Sequence, residues 1–176
     1  TIELWVKPQR YANSWMPLAA KSNGMSSHWD TFSLWLGNSG QVQIGTSDGA
    51  YQGVTSTSSA VPLGQWTHVA AMINRTAGEL RIYINGTLSA STVLRSEPAV
   101  SVDAPAWFGF HQVVSSGYSP FVGELDELRL WSVARTEEQI RADMHRALTG
   151  TEQGLELLLP FDDATNAATV QSLGPH

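Results

Sequence analysis

Apolar and polar residues alternate along most of the chain in short runs, and each run ends on residues that favour turns. Ile2, Leu4 and Val6 alternate with Glu3, Trp5 and Lys7. The run 32–36 alternates again and closes on Gly37-Asn38-Ser39-Gly40, with 41–45 as the return strand of a hairpin. Serine and threonine dominate 52–59, as in a solvated edge strand, whereas 66–73 is apolar enough to be buried on both faces. Leu80, Ile82 and Ile84 alternate with Arg81 and Tyr83 up to an Asn85-Gly86 turn, and 87–93 answers them. Strand patterns follow at 107–110, 122–131 and 155–161. About ten short antiparallel strands predict an all-β sandwich or barrel. One segment has helical spacing instead. Thr136 and Gln139 form a capping box, Ile140, Met144 and Leu148 recur every fourth residue, and Gly150 closes the pattern. Alternation fades in 162–176, which reads as a tail or a linker to a neighbouring domain.

The 176 residues suit one domain, and 42% apolar with 15% charged residues is an ordinary globular composition. A net charge of −6 argues against nucleic acid and anionic membranes as partners, and no apolar run is long enough to span a bilayer. With no cysteine there is neither a disulfide framework nor a thiolate metal site. The sequence opens directly in a strand pattern at Thr1, as a module excised from a longer chain would. The triplets Asn74-Arg75-Thr76 and Asn85-Gly86-Thr87 read as turns.

Four stretches carry a family resemblance: "TIELWVKP" (1–8), "LGQWTHVAAMIN" (63–74) running into "GELRIYINGTL" (78–88), "FVGELDELRLWSVARTEEQI" (121–140) and "GLELLLPFDDA" (154–164). In this order the chain resembles the laminin G-like, concanavalin A-like jelly-roll domains of secreted multidomain proteins. The resemblance implies a two-sheet antiparallel jelly roll over 1–161. The family's usual strand ahead of the "TIELWVKP" position has no counterpart here. The implied function is noncatalytic recognition of a carbohydrate or an extracellular protein, at a cell surface or in a matrix.

Glu124, Asp126 and Glu127 in "VGELDELRLW" invite an enzymatic reading. The β-glucanases of the same broad fold carry Glu-x-Asp-x-Glu on one strand face, and Glu124 and Asp126 match its first two positions. Leu128 stands where the third acid belongs, or Arg129 in the longer variant, and in a regular strand Glu127 points the other way. The motif lacks its proton donor. Leu125 and Leu128 are three apart, and burying both requires a β-bulge at Asp126-Glu127. In many relatives the Asp of this strand helps hold a structural Ca²⁺, which the resemblance implies for Asp126. The same acids also have Arg81, Arg129 and Arg135 as ordinary ion-pair partners, and both readings stay open.

No serine stands in a nucleophile-elbow context, and none of the five histidines has zinc-ligand spacing. His68 is expected as a hydrogen-bonded core residue. Trp5, Trp35, Trp66, Trp107 and Trp131 fall within strand patterns and are expected in the core, whereas Trp15 and Trp29 fall in loops. Sugar sites combine aromatic rings with Asp, Asn, Gln and His. The loops 22–30, 46–53 and 109–120 offer His28, Trp29, Asp30, Asp48, Tyr51, His111 and Tyr118, and in jelly rolls such loops gather at the rim of the concave face. Two other functions compete with glycan recognition: an enzyme of the β-glucanase or lyase type, and a spacer packed on a neighbouring catalytic or toxin domain.

Overall fold

The computed structural model of the chain describes residues 1–22, 30–47, 50–95, 105–110 and 119–162. Among them are eleven strands and one helix: β1 (Ile2–Pro8), β2 (Met16–Ser22), β3 (Asp30–Leu36), β4 (Val42–Ser47), β5 (Tyr51–Thr55), β6 (Thr67–Asn74), β7 (Glu79–Ile84), β8 (Thr87–Val93), β9 (Ala106–Phe108), β10 (Gly123–Trp131), α1 (Glu137–Asp143) and β11 (Leu155–Leu159). They form a six-stranded sheet, β11-β10-β1-β6-β7-β8, and a five-stranded sheet, β5-β4-β3-β2-β9. Every pairing is antiparallel. This is the jelly-roll sandwich, and its core is the layer between the sheets, where Leu4, Val6, Leu34, Ile44, Val69 and Leu128 are fully buried.

The alternating runs locate the strands well, and Asn85-Gly86 makes the expected tight turn, with φ of 50° and 74°. One strand has no signal in the alternation. β2, "MPLAAKS", is central in its sheet and buried on both faces, so it shows no period of two, and Pro17 argues against a central strand. A register shift between Pro17 and Ala19 accommodates the proline.

The helix has its capping box but ends earlier than the spacing predicts. Arg129 donates from Nη1 to the carbonyl of Asp143 (2.8 Å) and from Nη2 to that of Arg146 (2.9 Å), satisfying carbonyls where the helix stops. Leu148 leaves the helical stripe and packs with Trp131, Leu155 and Leu158 in a separate cluster.

The expectation that the strand tryptophans are core residues holds for Trp35 and Trp131, which are buried, the latter with Leu148, Leu155 and Leu158, and fails for Trp66, which is 41% exposed. None of the five joins the cluster between the sheets. Trp35 is flanked by the inward Leu34 and Leu36, and Trp5 by Leu4 and Val6, so alternation turns both rings outward.

Helix α1 lies over the outer face of the six-stranded sheet. Ile140 packs on Ala70, Met72 and Tyr83, which is why β6 is buried on both sides. Beside this patch lies a buried ionic network. Arg135 reaches Glu3 at 3.2 Å, pairs with Asp143, and sits 3.9 Å above the Trp131 ring. Burial pushes the Glu3 carboxyl up, against the pull of Arg135 and Arg129.

Candidate functional site

Of the residues expected to bind a ligand, Tyr51 is described; Trp29, His28, Asp48, His111 and Tyr118 lie outside the described residues, as does the side chain of Asp30. The strand ends show where their loops attach. β2 pairs with β3 and β4 with β5 as successive antiparallel strands, so segments 23–29 and 48–49 leave from one end of the five-stranded sheet. Segment 111–118 attaches at the other end. Gly109 donates to the Leu18 carbonyl at 3.0 Å, and Ser119 to that of Trp15 at 3.1 Å. The strands therefore bring the attachments of two of the three loops together.

Tyr51 lies across the outer face of its sheet. Its ring occupies the space that a side chain at Gly45 or Gly53 would need: a Cβ at Gly45 would come within 2.1 Å of the hydroxyl. The phenol donates to Gln43 Oε1 at 2.9 Å, and Gln43 Nε2 donates to Thr55 Oγ1 at 3.0 Å. The ring keeps 39% exposure. At the opposite edge, Trp107 on β9 meets Phe110 edge-on at 5.8 Å, and Phe110 is 40% exposed. Between these edges lie Ser33 and Trp35, both buried although they point away from the inter-sheet core.

Two polar atoms of this face are buried without a hydrogen-bond partner, Ser33 Oγ and Trp107 Nε1. What the face exposes is a ring at each edge and the amide and hydroxyl of Gln43 and Thr55 beside Tyr51, a combination that suits sugars, while Ser33 and Trp35 between the edges are buried. Sequence reasoning reached only Tyr51 of this set. The signal for the others was Ser33-Leu34-Trp35 alternation, which sends serine and tryptophan out together, and the glycines at 45 and 53 that leave room for a ring.

The acidic strand has the expected bulge. Glu3 and Trp5 of β1 face Arg129 and Asp126 of β10, so three steps on β10 match two on β1. Glu127 takes the bulge position at φ 49°, and Leu128 turns into the core at 0% exposure. The bulge changes one expectation drawn from a regular strand. Glu127 lies on the same outer side as Asp126 and meets Arg129 at 2.9 Å. Glu124 pairs with Lys7 at 2.9 Å and Arg81 with Glu79, while Arg135 is engaged with Glu3 and Asp143. Asp126 accepts from the Glu127 amide at 2.9 Å, and its carboxyl is raised by burial and further by Glu127 and Asp162.

Calcium takes six to eight oxygens. Among the described residues no group of three or more His, Cys, Asp or Glu side chains gathers to hold a metal.

His68 lies under Trp5 with ring centroids 5.3 Å apart. Its Nε2 is 3.7 Å from Glu3 and its Nδ1 has no partner, so one nitrogen of this buried imidazole lacks the hydrogen bond expected of it. Burial and the charges of Arg129, His145 and Arg135 lower its pKa to about 3.

Residues 1–141 match the family model described as concanavalin A-like lectin/glucanases superfamily. The chain belongs to that superfamily. No curated protein matches it in sequence. Among solved structures it is similar to a candidate carbohydrate-binding protein of Bacteroides ovatus, with a TM-score of 0.70 and 21% identity over 97% of this chain and 48% of that one. The chain therefore spans about half of that relative. It is also similar to CBM40 of the Ruminococcus gnavus IT-sialidase, solved with α2,3 sialyllactose (TM-score 0.66, 17% identity, 80% of this chain and 79% of that one). A third likeness is to domain 4 of AbnA, a GH43 extracellular arabinanase of Geobacillus stearothermophilus, in complex with arabinotriose (0.57, 24%, 80% and 64%). At these identities the likeness establishes the shared fold.

Proposed function

We propose that this superfamily member is a noncatalytic carbohydrate-binding module, and that it reads glycans with the outer face of its five-stranded sheet. One observation carries the proposal: aromatic rings stand exposed at both edges of that face, Tyr51 and Phe110, with the polar groups of Gln43 and Thr55 exposed beside the first. A sugar laid across the face stacks on Tyr51 or Trp107 and offers hydroxyls to Gln43 and Thr55. The solved relatives named for carbohydrate binding, and those that are parts of a sialidase and an arabinanase, support this reading. So does the acidic strand. Its third catalytic position is the inward Leu128, and Glu124 and Glu127 are engaged with basic partners.

In this reading the module serves a larger secreted or surface protein, outside the cell, by keeping it on its glycan. A structural calcium ion at Asp126 stays a proposal on the resemblance alone, and the binding step does not run through it. Affinity electrophoresis on polysaccharide gels tests the function. The wild-type chain should be retarded by at least one polysaccharide, and Tyr51→Ala and Trp107→Ala should each be retarded clearly less. Retardation equal to that of the wild type in both variants would exclude this face.

A further inference from the structure

The outer face of the other sheet carries a groove that the function above does not use. It has a volume of about 460 Å³ and lies between Trp5 and Trp66 on one side and Met144 to Ala147 on the other, with the bulge at Asp126-Glu127 at its end. Small-ligand sites commonly measure about 300–1,000 Å³ and combine apolar walls with a few fixed polar groups. Here the wall is Trp66, which keeps 41% of its surface exposed beside Lys7, whose Nζ is 5.6 Å from the ring. Trp5 is held in place by its indole N–H, which donates to the Met144 carbonyl at 3.0 Å, and its ring lies 5.2 Å from that of His145.

The floor contains Arg129, 1% exposed, whose Nε has no hydrogen-bond partner although both of its Nη atoms make hydrogen bonds. Charges around the groove are otherwise internally matched: Lys7 with Glu124, Arg129 with Glu127, Arg146 with Asp143. Asp126 is the carboxylate here that has no basic partner among the described residues; its bond is to the Glu127 amide.

We propose that this groove is a second glycan site, taking a neutral pyranose unit with its apolar face on Trp66 and its hydroxyls on Asp126 and His145. An unpaired carboxylate accepts hydroxyl protons well and repels an acidic sugar, so the matched charges and the free Asp126 select a neutral one. Because the groove and the Tyr51 face lie on opposite sheets, one module would hold two glycan segments and gain avidity on a dense matrix. The inference rests on the reading of the chain as a carbohydrate binder, but not on which face of the five-stranded sheet does the binding.

The test is a two-dimensional NMR titration of the whole chain in EDTA buffer, with cellotetraose, maltotetraose, mannotetraose and lacto-N-tetraose as neutral probes and 3′-sialyllactose as the acidic one. The expected result is two independent sets of shifts. One includes the Trp5 and Trp66 indole signals, survives Tyr51→Ala, and loses roughly tenfold or more in affinity with Trp66→Ala, the scale of one aromatic anchor. Asp126→Asn keeps the acceptor for the Glu127 amide, and it should weaken the same set. Trp66 is exposed, so its removal leaves the fold intact, which the unchanged Tyr51 set would report. Shifts confined to the Tyr51 face overturn the groove and leave the proposed function standing. Shifts confined to the groove do the reverse. Silence at both faces overturns both, and preference for sialyllactose, or groove binding only with added calcium, overturns the neutral-sugar assignment.

Discussion

His68 is held neutral by its surroundings. Its ring is 1% exposed, and the neighbouring Arg129, Arg135 and His145 all oppose a second positive charge. The folded pKa of about 3 lies below the ordinary 6.5, so folding excludes a proton that the unfolded chain binds. The sign follows. Stability from this group is full above about pH 6.5 and is lost as pH falls from there toward 3. Urea unfolding at about pH 7 and about pH 5 should differ by roughly 2 kcal/mol more in the wild type than in His68→Leu. Equal slopes would show that His68 takes its proton inside the fold. The histidine's burial was legible in "QWTHVAA"; its neighbour Glu3 was not, because Glu3 reaches it from another strand. Leu125 and Leu128 likewise announced the bulge through their spacing. Arg129 was among the ion-pair partners the sequence offered to Glu127, but that the bulge would put Glu127 on the side of Asp126 was not legible, since a left-handed residue depends on which side the bulge opens.

At the scale of elements, helix α1 is a short lid whose stability comes from docking more than from its own length. Thr136 accepts from the Gln139 amide and Gln139 returns the bond. Thr136→Ala should cost about 1 kcal/mol in a chemical denaturation series. Arg135 joins the helix to β1 through Glu3 and Asp143, so Arg135→Met should cost more, about 3–5 kcal/mol, by leaving Glu3 buried and unpaired. Adding Glu3→Gln to that variant should recover part of the loss; no recovery would mean that packing under Trp131 matters more than charge. The cap was readable because it is local in sequence. The early stop was not, because the groups that end the helix belong to Arg129 on β10. β2 escaped for a related reason: a strand buried on both faces has no alternation to read.

At the scale of the molecule, the two-sheet architecture was legible because each hairpin carries its own turn signal and each half-buried strand its own alternation. Which sheet face meets a ligand was less so. Tyr51 was identified from its loop, whereas Trp35 and Trp107 were assigned inward because tryptophan in a strand is usually counted as core. Sheet order decides that question, and sheet order is a property of the whole chain. A structural calcium ion at Asp126, completed by backbone carbonyls as the resemblance implies, predicts that EDTA lowers the Tm of the chain and that added Ca²⁺ restores it. An unchanged Tm in EDTA would exclude the ion.

The most direct test of the account is isothermal titration calorimetry of the folded chain against the polysaccharide that retards it most, beside Tyr51→Ala and Trp107→Ala. If the outer face of the five-stranded sheet binds the glycan, the wild type shows measurable binding and each variant loses roughly tenfold or more in affinity at an unchanged urea midpoint. Absence of heat with every glycan screened, or equal affinity in all three proteins, would contradict it.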